Sequence, residues 1–117
     1  MKWAAFRVSL LVLLTACERE ATAQSAEAEA LDYVRLVQVA LSNAYYQTSR
    51  PIPPTPCTDP LFGMKKTSKF LTLNRCTASM VNDENMLVTA VFNGDLAVLG
   101  DAQGVRRVKV SELPEVK

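Results

Sequence analysis

The sequence predicts an α+β domain, one long N-terminal helix packed on a small antiparallel β-meander of three to four strands. Two observations carry this. Apolar residues recur at helical spacing between about Ser25 and Thr48. Farther along, two short apolar runs flank Asn93-Gly94, the strongest short hairpin signal a sequence offers. At 117 residues, 49% of them hydrophobic, the chain suits one domain and shows no compositional disorder.

The first segment does not belong to that domain. Lys2 and Arg7 supply positive charge, Val8–Leu14 (VSLLVLL) is a short apolar core, and small residues follow. This order is that of a secretory signal. Counted from Trp3 to Cys17 the stretch has 15 residues, short of the roughly 20 that a transmembrane helix needs. Residues 18–29 (EREATAQSAEAE) are polar, Ala-rich and acidic, and read as a tether running into the next element.

In the helix, Ala30, Val34, Val37, Leu41, Ala44 and Tyr45 share one face. Glu27 and Glu29 lie near its expected start, where the macrodipole favours acids. Asp32, Leu36, Val39, Asn43 and Tyr46 form a second, partly apolar stripe. A helix apolar on two sides is usually sandwiched between elements. The alternative expectation is that Leu36, Val39 and Tyr46 hold a partner.

"RPIPPTPC", residues 50–57, cannot continue the helix, because its four prolines remove donors and fix φ. It reads as a stiff, extended, polyproline-like connector. Lys65, Lys66, Lys69 and Arg75 follow with no acid between residues 60 and 76. Such a loop suits either a solvated, aggregation-resistant edge or contact with an anionic envelope surface.

The C-terminal half is β. Phe70–Leu73 reads as a short strand, and Met86–Phe92 and Asp95–Leu99 flank the Asn93-Gly94 turn. Gly100–Gly104 reads as a second turn leading into Val105–Val110, where Arg106, Val108 and Val110 share a face opposite Arg107 and Lys109. The meander is expected to be wet on one face and covered by the helix on the other.

No catalytic constellation is legible. Histidine, the commonest general base and metal ligand, is absent. No S-x-x-K pair and no glycine-rich phosphate loop occurs, and Asp83, Glu84, Asp95 and Asp101 fall in turns, which favour such residues for backbone reasons. The expectation is a protein without catalysis, cofactor or metal. A net charge of +1 argues against binding nucleic acid electrostatically.

Leu14-Thr15-Ala16-Cys17 resembles the lipobox of bacterial lipoprotein precursors. The resemblance implies that the Cys17 sulfur receives a diacylglycerol, that residues 1–16 are removed, and that the new amine is acylated. Multiple acyl chains make such anchoring stable. Glu18 stands where aspartate is the usual inner-membrane retention signal in that family, which favours the outer membrane, on the periplasmic side. A rival site, Ala21-Thr22-Ala23 before Gln24, suits ordinary secretion. On the lipoprotein reading residues 17–29 are the lipidated terminus and tether, and 30–117 the single domain.

Three cysteines are awkward in an exported chain. With Cys17 assigned to lipid, Cys57 and Cys76 remain, and an even pair in an oxidising compartment reads as a disulfide. The later layout of helix, loop and stapled sheet is similar to type IV pilin globular domains, although no prepilin cleavage motif is present. It is also similar to one class of secretin pilotins. These resemblances imply a membrane-anchored periplasmic protein that binds an envelope protein, as an accessory to envelope assembly or a secretion or pilus system. The competing class is an immunity or inhibitor lipoprotein that neutralises an incoming enzyme.

Overall fold

A computed structural model describes the backbone of residues 2–114 and the side chains of residues 25–114. Helix α1 spans Lys2–Thr48. It therefore does not begin near residue 25, and the segment read as a polar tether is helical. Alanine is the best helix former and glutamate a good one, so an Ala/Glu-rich stretch extends an existing helix at little cost. Ser49, with φ 53°, ends it, and its N–H donates to the Tyr45 carbonyl at 2.8 Å.

Five strands follow, not three to four: β1 (Ile52–Pro56), β2 (Leu73–Asn82), β3 (Asn85–Phe92), β4 (Leu96–Asp101) and β5 (Gly104–Val108). They form one antiparallel sheet in sequence order. The additional strand is the proline-rich segment. β1 lies at the sheet edge, where proline's missing donor goes unneeded. It pairs with β2 through Ile52↔Met80, Thr55↔Ala78 and Pro56↔Thr77, with a register shift after Ile52.

Phe70–Leu73 is not a strand of its own; only Leu73 is in one, as the first residue of β2. The Asn93 side chain explains why. It accepts from the Thr72 N–H at 2.8 Å and donates to the Phe70 carbonyl at 3.2 Å, taking groups a ladder would use. The hairpin stands where expected, with Asn93 and Gly94 both at positive φ, 52° and 85°. Its loop has three residues, because Phe92 pairs with Leu96 and Asp95 stays in the turn. The second turn is shorter than Gly100–Gly104. Gly100 and Asp101 belong to β4, and Asp101 pairs with Gly104 across Ala102-Gln103. β5 stops at Val108, so Val110 does not continue its face; it opens a 3₁₀ turn, Val110–Glu112.

The core lies between α1 and one face of the sheet. Ala30, Val34, Val37, Leu41 and Ala44 are buried, as their spacing predicts, and Tyr45 is half-buried. They meet Ala78 and Met80 of β2, Val88, Ala90 and Phe92 of β3, and Val98 of β4. Tyr33 sets its ring edge-on to Phe92, 5.7 Å between centroids. Gly100 marks the closest approach of helix and sheet. A Cβ there would stand 2.8 Å from Val34 Cγ1 and 2.9 Å from Gln38 Nε2. Gln38 in turn donates to the Asp101 carbonyl at 3.1 Å.

The other sheet face carries Thr77, Ser79, Leu87, Thr89, Val91, Ala97, Leu99 and Val108, paired across the strands in register. Arg106 is on this face too, opposite Leu99 and beside its Asp101 partner, while Arg107 pairs with Val98 and reaches Glu27 of α1 at 3.5 Å.

Candidate functional site

The second stripe of α1 is not sandwiched between elements. Leu36 is 60% exposed, Val39 57% and Tyr46 61%. A single sheet covers one side of the helix, and the loop between β1 and β2 reaches around it only in part. The stripe and this loop together form a groove.

The loop is positioned by four local devices. Cys57 and Cys76 form a disulfide, 5.3 Å between Cα atoms, and the Cys57 N–H donates to the Cys76 carbonyl at 3.0 Å. Asp59 accepts from the Leu61 N–H at 2.9 Å, starting a 3₁₀ turn over Pro60–Phe62 that buries Phe62. Gly63, at φ 58°, ends that turn in a conformation that disfavours other residues. Finally, Glu29 of α1 accepts from the Ser68 N–H at 2.9 Å and from its hydroxyl at 2.6 Å. Two bonds to one carboxylate clip the far end of the loop to the helix.

The resulting open groove has a volume of about 510 Å³. Leu36, Val39 and Ala40 form its helix wall, and Phe62 and Met64 the opposite apolar wall. Lys65 and Lys66 stand on the loop side, and Glu29 and Asp32 on the helix side. Asp32 is paired with Arg35 at 2.9 Å, and Glu29 is held by hydrogen bonds from Ser68 that leave its charge in place. The lysines make no ion pair among the described residues. An apolar floor with a cationic bank suits a segment that presents apolar side chains beside acidic ones.

Of the three predicted partner-binding residues, the fold brings Leu36 and Val39 together in the groove and leaves Tyr46 outside it. Tyr46 packs edge-on against Tyr45 and lies by Asp83, in the β2–β3 turn, whose carboxylate raises the phenol's pKa. The Tyr33 phenol at the groove's base is also raised, by burial. Cys17 lies outside the residues whose side chains are described. Phe62, Met64 and the Glu29–Ser68 clip were not legible as parts of a site. The signal available was Asp59-Pro60 ahead of an aromatic inside a cysteine-closed loop, which predicts a turn anchored by that ring.

Among the described residues no group of three or more His, Cys, Asp or Glu is placed to hold a metal ion. Nor is any of their helices long and apolar enough to cross a membrane. Compared with protein-family models, with curated proteins and with solved structures, the chain matches none.

Proposed function

We propose that this protein is a lipid-anchored lipoprotein of the bacterial envelope that acts by binding another envelope protein, as an accessory to assembly or secretion. The lipobox at Leu14–Cys17 supports the anchor. The observation that carries the binding role is the exposed pair Leu36 and Val39, set in a groove whose second wall, from Phe62 to Lys66, is held by the disulfide and by Glu29. Large apolar side chains contribute about 1.5–3 kcal/mol each when fully buried. Two side by side in a pre-formed groove give a partner an apolar surface to bury.

The test is site-specific photocrosslinking in cells. A photoreactive residue at Val39 is expected to capture one discrete envelope protein, and Leu36→Asp in the same chain to abolish that adduct. The same probe at Gln103, exposed in the β4–β5 turn away from the groove, is the control. Equal adducts from both positions, or none from Val39, would count against the groove. The identity of the adduct separates the two classes of partner: a component of the cell's own envelope machinery fits an accessory role, and a hydrolase supplied from outside fits an inhibitor.

A further inference from the structure

We infer that the loop around Lys65–Phe70 makes a second, direct contact with an anionic lipid surface, so that the domain is held at two points and not by its lipid alone. The inference rests on the reading of Cys17 as the anchor.

Position is the first argument. Glu29 clips Ser68 to α1, and Glu29 follows Cys17 by 12 residues, about 18 Å of helix axis. The clip therefore holds Lys69 and Phe70 at the end of the domain that faces the anchor. A helix inclined to the membrane brings both Cys17 and this loop to the surface.

Chemistry is the second. Phe70 is 60% exposed although its neighbour Leu71 is buried. The Phe70 carbonyl is held by Asn93, so the backbone is fixed while the ring points outward. Lys69 Nζ stands 5.1 Å from the centre of that ring. Lys65, Lys66 and Lys69 are exposed, make no ion pair among the described residues, and have no acid near them in sequence. Of the nearby helix acids, Glu27 is paired with Arg107 and Asp32 with Arg35, while Glu29 keeps its charge and is hydrogen-bonded to Ser68. An exposed apolar ring beside unpaired lysines matches the boundary of an anionic bilayer, where the ring can bury and the lysines gain from the surface potential.

The only tryptophan, Trp3, lies in the segment removed on this reading. A Phe70→Trp variant of the membrane-extracted protein therefore reports from the loop alone; intact mass shows whether residues 1–16 are gone and Cys17 is acylated. The protein is reconstituted into vesicles of phosphatidylcholine alone, or of phosphatidylcholine and phosphatidylglycerol in equal parts, each with brominated acyl chains. Quenching is expected in the anionic vesicles and not in the neutral ones. The variant that also carries Lys65→Gln, Lys66→Gln and Lys69→Gln is expected to lose that quenching, since three lysines near such a surface strengthen contact by about a hundredfold. Acylated protein with unquenched emission in both vesicles overturns the loop contact and leaves the anchor standing. Protein without acyl chains that is nonetheless quenched in anionic vesicles overturns the anchor and leaves the contact standing. Quenching equal in both vesicles, or unaffected by the three substitutions, overturns the electrostatic contact.

Discussion

Replacing Gly100 with alanine adds a methyl group where α1 already presses on β4. The added carbon would meet Val34 Cγ1 at 2.8 Å and Gln38 Nε2 at 2.9 Å. Gln38 is flexible, but moving it costs its 3.1 Å bond to the Asp101 carbonyl. Val34 is fully buried and β-branched, so its χ1 has no free alternative. Inserting one methyl into such a contact costs about 1–3 kcal/mol. Removing glycine's freedom from the unfolded chain returns about 0.4–1 kcal/mol. The net loss is about 1–2 kcal/mol, which lowers Tm by about 5–15 °C in a domain of this size. Thermal melts by circular dichroism, with urea midpoints at one temperature, read this directly. Val34→Ala removes the clashing methyl, so the double variant should lose less than the sum of the two single losses. A Gly100→Ala protein as stable as the parent, or strictly additive losses, would show that helix and sheet do not meet as described.

Other outcomes follow from the same contacts. Replacing both Cys57 and Cys76 with serine frees a loop of 19 residues and should cost about 3 kcal/mol on the chain-entropy account, read as a lower urea midpoint. Glu29→Ala releases the Ser68 clip; trypsin should then cut after Lys65, Lys66 and Lys69 faster, with Tm falling only a few degrees because these bonds are exposed. Asn93→Ala removes two hydrogen bonds to the loop and a residue tolerant of its φ of 52°, for a loss of about 1–3 kcal/mol in urea unfolding. Asp101 accepts two bonds from the Arg106 guanidinium, at 3.1 and 3.0 Å, and this holds its carboxyl below the ordinary range. A depressed carboxylate stabilises the fold above its unfolded pKa, about 3.9, and that contribution fades as pH falls below this value. Asp101→Asn should therefore lower the urea midpoint at neutral pH and leave a shallower acid limb.

The helix core was legible because a 3.6-residue period needs only the apolar positions, and Ala30 to Ala44 obey it. β3 and β4 were legible from dense apolar runs around Asn93-Gly94. β2 was not, since LNRCTASMVN mixes Asn, Arg, Thr and Ser into a strand whose buried side is only Cys76, Ala78 and Met80. Its polar residues lie on the face away from α1 or at the strand ends, where nothing in the pattern separates them from a loop. β1 was hidden by its own prolines, which rule out a central strand but not an edge. The strand expected at Phe70 fails for a reason 23 residues away, in the Asn93 amide. The groove shows the same division. Leu36 and Val39 could be named as one wall from spacing alone. Phe62 and Met64 could not, because the disulfide, the Asp59 turn, Gly63 and the Glu29 clip together fold their loop back against α1.

The intact mass of the protein extracted from membranes tests the proposed anchor most directly. The account predicts a chain lacking residues 1–16 and carrying acyl chains on Cys17. A soluble product beginning at Gln24, with an unmodified N-terminus, would contradict it.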